Sequence, residues 1–349
     1  MITIREPIID RSDPILITGA NGFIGRALTG ALVEAGFSNV RCLARSKRDD
    51  GAESRSLTGN VEFVYGNLLS TQDCLRIARD VKLVYHLAAG TGTKSFPDAY
   101  LNSVVTTRNL LDAVVAERLH KRFVNVSSFA VYGTERVRRG SLITEDCPIE
   151  AQPQARDAYC YAKVKQDELV AEYGQKRSLP YVFVRPGVVY GPGKHRIHGR
   201  VGLGAGPLFL HLGGSNPIPL THVENCAEAI ALAGLCGGVE GQAFNIVDDD
   251  LPSSRSFLKM YKRSVGSLRS IYLPSFLSYF LCAVWERYSS WSAGQLPPIH
   301  TRREWYAYWQ NYRYSNEKLK RLLAWAPRIS TAQGLQAFFN SWPERRSNA

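Results

Sequence analysis

Residues 15–28 read ILITGANGFIGRAL, and the spacing of three glycines in this stretch decides the fold. A short β-branched run at 15–18 leads directly into Gly19, Gly22 and Gly25, and an amphipathic helical pattern follows over 23–35. Each glycine has a physical task. One permits a tight turn, the next lets backbone approach a pyrophosphate, and the third lets helix and strand pack closely. The helix N-terminus then offers free N–H groups and a partial positive charge to the phosphates. Gly19, Asn21, Gly22, Phe23, Ile24 and Gly25 are the expected dinucleotide loop.

Outward from this loop the chain alternates. Runs at 15–18, 40–43, 61–65, 83–87, 123–127 and 181–185 read as buried parallel strands. Helical patterns at 23–35, 71–79, 100–118 and 159–173 connect them. This predicts a doubly wound α/β sheet of the Rossmann type. Past Pro186 the texture becomes rich in Gly and Pro, then gives a strand–helix unit at 218–235 and a strand at 243–247. Mainly helical segments follow and end at 330–342, where Ser330 or Thr331 can cap the last helix. The expected organisation is a dinucleotide-binding domain over 1–185, completed by about 218–250, with a smaller, mostly helical substrate lobe from 186–217 and 251–342.

Composition narrows the class. The chain has 349 residues, 45% hydrophobic and 21% charged, as in ordinary globular proteins. The net charge of +12 gathers at 41–48, 136–139 and 194–200, which reads as a solvated basic surface or as a seat for an anionic ligand or an acidic membrane face. No nucleic-acid-binding signature accompanies it, so nucleic acid is not an expected partner. Seven cysteines without Cys-x-x-Cys spacing suit a reducing cytosol, and no metal site is expected. The N-terminus carries charges and no apolar signal region, so a cytoplasmic protein is expected. Residues 270–285 (SIYLPSFLSYFLCAVW) are uncharged but shorter than the roughly 20 residues of a membrane span. They read as a core helix by default, or as an interfacial one in peripheral contact with lipid.

The second strand ends in VRCLARSKR, with no acidic residue before Asp49 to bind a ribose hydroxyl. Arg45, with Lys47 and Arg48 behind it, suits a 2′-phosphate, so NADP is favoured over NAD.

Residues 157–165, DAYCYAKVK, hold two Tyr-x-x-x-Lys pairs, Tyr159–Lys163 and Tyr161–Lys165, and a third copy lies at Tyr314–Lys318. Helical periodicity separates the first two. Positions 159, 162, 163, 166, 169, 170 and 173 form a mostly apolar face, whereas 161, 165, 168 and 172 carry a charged stripe in which Lys165 is a natural partner of Glu168. Tyr159 and Lys163 are therefore expected to point inward. The third pair sits in the charged segment YSNEKLKR and reads as a coincidence. A buried ammonium beside Tyr159 is expected to lower a phenol pKa of about 10, each unit being worth about 1.36 kcal/mol. Such a phenol exchanges a proton with a substrate alcohol while hydride moves to or from nicotinamide.

TGANGFIG, VYHLAA, VNVSSFAVYG, YCYAK and RPGVVYGPG, in that order, resemble the extended short-chain dehydrogenase/reductases, the epimerase/dehydratase and 3β-hydroxysteroid dehydrogenase superfamily. The likeness runs nearly end to end, through IPLTHVENCAEAI, AFNIVDD and KLKRLLAWAPRISTAQGL. It implies a catalytic Ser128, four residues before Tyr132, with Ser127 as the fallback. The small Ala162 before Lys163 selects Tyr159 and Lys163 as its partners. The resemblance also implies cofactor contacts from Asn67, Leu68, Leu87, Ala88, Ala89, Ser127, Pro186 and Val189, and a structural role for Asn102. Asn67 stands where the family usually has an Asp near the adenine.

Departures from the family pattern bear on the reaction. Ser128-Phe129-Ala130 lacks the carboxylates of sugar-nucleotide dehydratases, and Val188 replaces the Asn common after the RP element of epimerases. The RPGVVYGPG form and the apolar 270–285 segment resemble 3β-hydroxysteroid dehydrogenase-like or ketone-reductase branches. Against this, Lys194, Arg196, Arg200 and His222 could hold a sugar diphosphate, with Thr91 also near the substrate. The expected function is an NAD(P)-dependent oxidoreductase or epimerase acting at a secondary alcohol or ketone of a nucleotide-sugar, as a homodimer. The alternatives are an enzyme of the 3β-hydroxysteroid dehydrogenase or ketone-reductase kind on a lipid-like alcohol, and a non-catalytic dinucleotide sensor.

Overall fold

Parallel β-branched runs, buried on both faces, need helices above and below them, and the chain supplies both layers. The computed structural model describes residues 6–46, 61–90, 95–119, 121–292, 295 and 300–343. Its strands are β1 (Ile15–Thr18), β2 (Val40–Ala44), β3 (Val61–Tyr65), β4 (Leu83–His86), β5 (Arg122–Val126), β6 (Leu142–Ile143), β7 (Tyr181–Pro186), β8 (Val188–Tyr190), β9 (Gly202–Ala205), β10 (Leu208–His211), β11 (Leu220–His222), β12 (Ala243–Ile246), β13 (Ser270–Tyr272) and β14 (Arg313–Tyr314). The helices are α1 (Phe23–Glu34), α2 (Thr71–Ala78), α3 (Phe96–Tyr100), α4 (Thr106–Ala116), α5 (Ala158–Arg177), α6 (Val223–Leu235), α7 (Ser254–Ser264), α8 (Ser275–Trp291), α9 (Arg302–Tyr308), α10 (Glu317–Leu323) and α11 (Thr331–Asn340).

The central sheet has seven parallel strands in the order β3-β2-β1-β4-β5-β7-β12. The expected Rossmann sheet is present. Its order reverses between β1 and β4, and that switch point opens a crevice at the carboxyl ends of the strands. One face packs against α1 and α6 through Leu28, Leu32, Ile230 and Leu235. The other packs against α2, α4 and α5 through Ile77, Leu110, Leu111 and Leu169.

The expected 100–118 helix starts earlier, at α3, and is broken by a π-helical turn at Leu101–Val105 before α4. Ser103 explains the break. Its carbonyl accepts the hydroxyls of Thr106 and Thr107 and its own hydroxyl accepts Gly90 N at 2.9 Å, so side chains enter the backbone ladder beside the crevice. Asn102 donates to Asp98 O at 3.0 Å, a local bond within this turn.

Past the sheet, β8 pairs with β11, β9–β10–β13 make a three-stranded sheet, and β6 pairs with β14. The strand β13 and helix α8 occupy the segment read as a core helix by default. That default is corrected: Phe276 and Phe280 of α8 are exposed, because the inward face carries Ser278 and Cys282 instead. At the end of the chain Ser330 forms a capping box with Gln333 at the start of α11.

Candidate active site

The glycine loop leaves β1 with Gly19 at φ +72°, and a Cβ there would lie 2.9 Å from Ala88 N. A Cβ on Gly25 would lie 2.2 Å from Gly19 O, so only a bare backbone lets α1 start this close to β1. Gly22 is the N-cap of α1, and no side chain caps it, which leaves that terminus to anionic groups. The same loop pulls in the end of β4: Leu87 N donates to Thr18 O at 3.1 Å and Ala88 N to Thr18 Oγ1 at 3.3 Å. Leu87, Ala88 and Ala89 thus border the loop. Arg45 is exposed just past β2, and Lys47, Arg48 and Thr91 lie outside the described residues. Asn67 accepts Leu69 N at 3.0 Å, a local turn, and Leu68 is buried beneath Asn109, which donates to its carbonyl at 2.9 Å.

Helix α5 carries the two competing pairs to different surroundings. Asp157 caps it by accepting Cys160 N at 2.8 Å, which fixes where the first turn begins. Ala158 and Ala162 pack on Ala99 of α3, so a small residue before Lys163 lets the helices meet. Lys163 is 4% exposed, and its Nζ donates to Val126 O at 2.7 Å and to Gln166 Oε1 at 2.9 Å. Lys165 instead reaches Glu168 at 2.7 Å, and Tyr161 packs on the rings of Phe96 and Tyr100. The inward and outward faces are those the periodicity predicts. Tyr314, the third copy, accepts from Arg200, while Lys318 sits over the Phe244 ring 5.7 Å away, so they are not a pair.

Adjacent serines at the end of β5 also part. Ser127 is buried and donates to Asp167 Oδ2 at 2.7 Å. Ser128 lies beside the Tyr159 hydroxyl, where it pulls the phenol pKa down, and accepts Ala130 N at 3.2 Å. The geometry therefore brings Ser128, not Ser127, to the phenol.

One expectation is overturned. Burial raises the Tyr159 phenol pKa, opposed by the neighbouring Ser128 hydroxyl, instead of Lys163 lowering it. The reason is the direction of the ammonium, which is bonded to Val126 O and Gln166. Burial also brings Lys163 down to about 8, with Asp167 pulling the other way.

Beneath these groups lies a polar network that the sequence reading passed over. Thr107 Oγ1 gives its one proton to Ser103 O and accepts Gln166 Nε2 at 2.8 Å, so His86 Nε2, also 2.8 Å away, must donate to it. His86 Nδ1 then accepts from Thr18 Oγ1 at 2.7 Å. Burial lowers the His86 pKa to about 3, which keeps the ring neutral. An unbroken chain, Thr18–His86–Thr107–Gln166–Lys163, thus joins the glycine loop to the lysine. Asp167 gathers a second group: Asn125 Nδ2 at 2.9 Å, Ser127, and Arg185 at 3.5 Å. Gln166 and Asp167 follow Lys163 by three and four residues, the spacing of one helix face, and that spacing could have revealed both.

The remaining candidates separate. Pro186 ends β7, and Val189 O accepts Lys194 Nζ at 2.9 Å, with the ammonium 5.2 Å from the Phe23 ring centroid. Lys194 therefore belongs to the glycine-loop side. Arg200 lies against Tyr308 and donates to Tyr314 at 3.0 Å, around a small cavity shared with Phe129. His222 is buried edge-on to Tyr190 and caps α6, and burial lowers its pKa, so it is a neutral packed ring rather than a presented cation. Among the described residues, no three His, Cys, Asp or Glu side chains gather as a metal site would.

A glycine loop at the switch point of a doubly wound sheet, with Ser, Tyr and Lys at the same crevice, defines a dinucleotide-dependent enzyme of the extended short-chain dehydrogenase/reductase type. Residues 15–246 match the NAD dependent epimerase/dehydratase family, and the chain belongs to it. It is 29% identical over 336 residues to the 2-alkyl-3-oxoalkanoate reductase of Stenotrophomonas maltophilia (strain K279a), covering 92% of this chain and 97% of that one. It is 28% identical to a trifunctional UDP-glucose 4,6-dehydratase/UDP-4-keto-6-deoxy-D-glucose 3,5-epimerase/UDP-4-keto-L-rhamnose-reductase of Arabidopsis thaliana, where the match covers 66% of this chain and spans 36% of the relative. The UDP-glucuronic acid 4-epimerase of Bacillus cereus, solved with UDP-glucuronic acid and NAD, superposes with a TM-score of 0.71 at 22% identity, over 94% of this chain and 98% of that one, a likeness of fold. A nicotinamide dinucleotide is the cofactor of this family.

Proposed function

We propose that the protein moves a hydride between a nicotinamide dinucleotide and a secondary alcohol or ketone carbon of a nucleotide-sugar. Ser128, Tyr159 and Lys163 carry the proton chemistry. The observation that carries this reading is Ser128 placed beside the Tyr159 hydroxyl, one helical turn from a buried Lys163. The bound dinucleotide supplies or accepts the hydride. With its pKa raised, Tyr159 is a neutral phenol near pH 7 and acts as the acid, giving its proton to the substrate oxygen during reduction. Ser128 orients that oxygen. The Lys163 ammonium, bonded to Val126 O and Gln166 rather than to the phenol, keeps positive charge beside the site, and the reverse direction returns the proton. In this reading residues 1–185 with 218–250 hold the cofactor, and 186–217 with 251–342 hold the substrate. Arg200, at the cavity it shares with Phe129, supplies charge for the diphosphate.

NADP is the preferred dinucleotide in this reading, supported by the exposed Arg45 after β2 and the lack of an acid before Asp49. Comparing NADPH and NADH binding by fluorescence tests it, and Arg45→Asp should reverse the preference.

A second reading, reduction of a lipid-like ketone, is favoured by one observation: the match to the 2-alkyl-3-oxoalkanoate reductase covers 92% of this chain and 97% of that one. Incubating the enzyme with 4-deuterated NADPH and either UDP-4-keto-sugars or 3-oxoalkanoate esters separates the two. Deuterium at the carbinol carbon of the sugar product supports the first reading, and label only in the hydroxy ester overturns it.

A further inference from the structure

Helix α8 takes no part in the chemistry above, and its packing is inverted. An ordinary surface helix turns its large apolar side chains inward. Here the positions turned inward include Ser278, Cys282 and Ser289, while Phe276 is 77% exposed, Phe280 60% and Trp291 79%. Leu281, Val284 and Tyr288 are exposed on the same stripe, and the charge within it is the cation Arg287. Where Leu281, Val284 and Tyr288 line it, the stripe borders an apolar cavity of about 400 Å³ running in to Trp309.

The neighbouring surface is basic. Residues 251–285 contain Arg255, Lys259, Lys262, Arg263 and Arg269 and no acidic residue. All five are exposed. Contacts tie them to the apolar stripe: Lys262 donates to Ser270 at 2.7 Å, and the Arg255 guanidinium lies 5.4 Å from the ring of Tyr272, whose strand β13 leads into α8. Ile271 and Tyr272 are themselves exposed.

We propose that α8, with the basic edge of α7 and β13, seats the protein on an anionic lipid bilayer. Aromatic and aliphatic side chains beside a row of cations are the pattern of an interfacial helix, its apolar side among the acyl chains and its cations among acidic headgroups. Charge selects this occupant over a second copy. Two such faces brought together would oppose five cations with five more, in chains of net charge +12, whereas an acidic surface attracts both. No helix among the described residues is long and apolar enough to cross a membrane, so the contact is peripheral.

Flotation of the full chain with vesicles of phosphatidylcholine, alone or mixed with phosphatidylglycerol, tests this. The wild type should float with the mixed vesicles and not with the neutral ones, and less as salt rises. The triple variant Phe276→Ser, Phe280→Ser and Trp291→Ser should lose binding at least about tenfold. Lys259→Glu with Arg263→Glu should remove the preference for acidic vesicles. Both variants should keep wild-type melting and dinucleotide binding, since these side chains face away from the core. Three results would each overturn the proposal: no flotation of the wild type, equal flotation of the triple variant, or a concentration-dependent dimer that the triple variant dissolves without vesicle binding. The readout is binding rather than turnover, so the substrate reading can fail while this one stands.

Discussion

Helices α5 and α8 are similar in length, yet α5 turns Lys163, Gln166 and Asp167 into the protein while α8 turns Phe276, Phe280 and Trp291 away from it. Both invert the usual partition of polar and apolar side chains. In α5 the buried polar groups have partners: Lys163 meets Val126 O and Gln166, and Asp167 meets Asn125, Ser127 and Arg185. In α8 the exposed hydrocarbon has no such compensation among the described residues. Buried polarity that is satisfied points to chemistry, and exposed apolar surface points to something outside the chain.

The comparison breaks most easily at Tyr159. Tyr159→Phe should lower turnover by about 10²–10⁴-fold while leaving dinucleotide binding nearly intact, and Tyr161→Phe on the outer face should do little. Steady-state rates beside dinucleotide titrations decide it, and equal losses for both variants would end the distinction between the faces. The next effect is on stability. Asp167→Ala leaves Arg185 buried without its carboxylate, and chemical denaturation should show a loss of about 3–5 kcal/mol.

A pH profile sharpens the claim for Lys163. Its pKa is lowered to about 8, so the ammonium is present below that pH and lost above it. The reductive rate should therefore hold below about pH 8 and fall as pH rises through it, by about tenfold per unit at the limit. A rate that climbs through this range would contradict the role given to the ammonium. The smallest effect belongs to α8: Phe276→Ser should change stability by no more than about 0.5 kcal/mol, as an exposed site does. A large loss would mean that the ring packs within the fold after all.

Much of the fold was legible because its signals are local. The strand at 61–65 and the start of the strand at 15–18 lie where the β-branched runs place them, and the face of α5 follows from its 3.6-residue period. The π-turn at Leu101–Val105 was not legible, since it depends on Ser103 meeting Gly90 across the crevice. Nor was the phenol pKa, because proximity in sequence says nothing of where an ammonium points. Nor was the setting of His222, offered for a sugar diphosphate, which is buried as the cap of α6 with its pKa lowered by burial.

By itself the sequence determined the glycine loop, the parallel sheet and which Tyr-Lys pair faces inward, all of them set by steric and periodic rules acting within about one turn or one strand. The tertiary structure alone decided that Ser127 turns to Asp167, that Lys163 is anchored to Val126 and Gln166, and that α8 shows its rings to the outside. Most of those outcomes depend on partners far away along the chain. Asp167 is 40 residues from Ser127 and Val126 is 37 from Lys163, and only folding brings such groups within a hydrogen bond of each other.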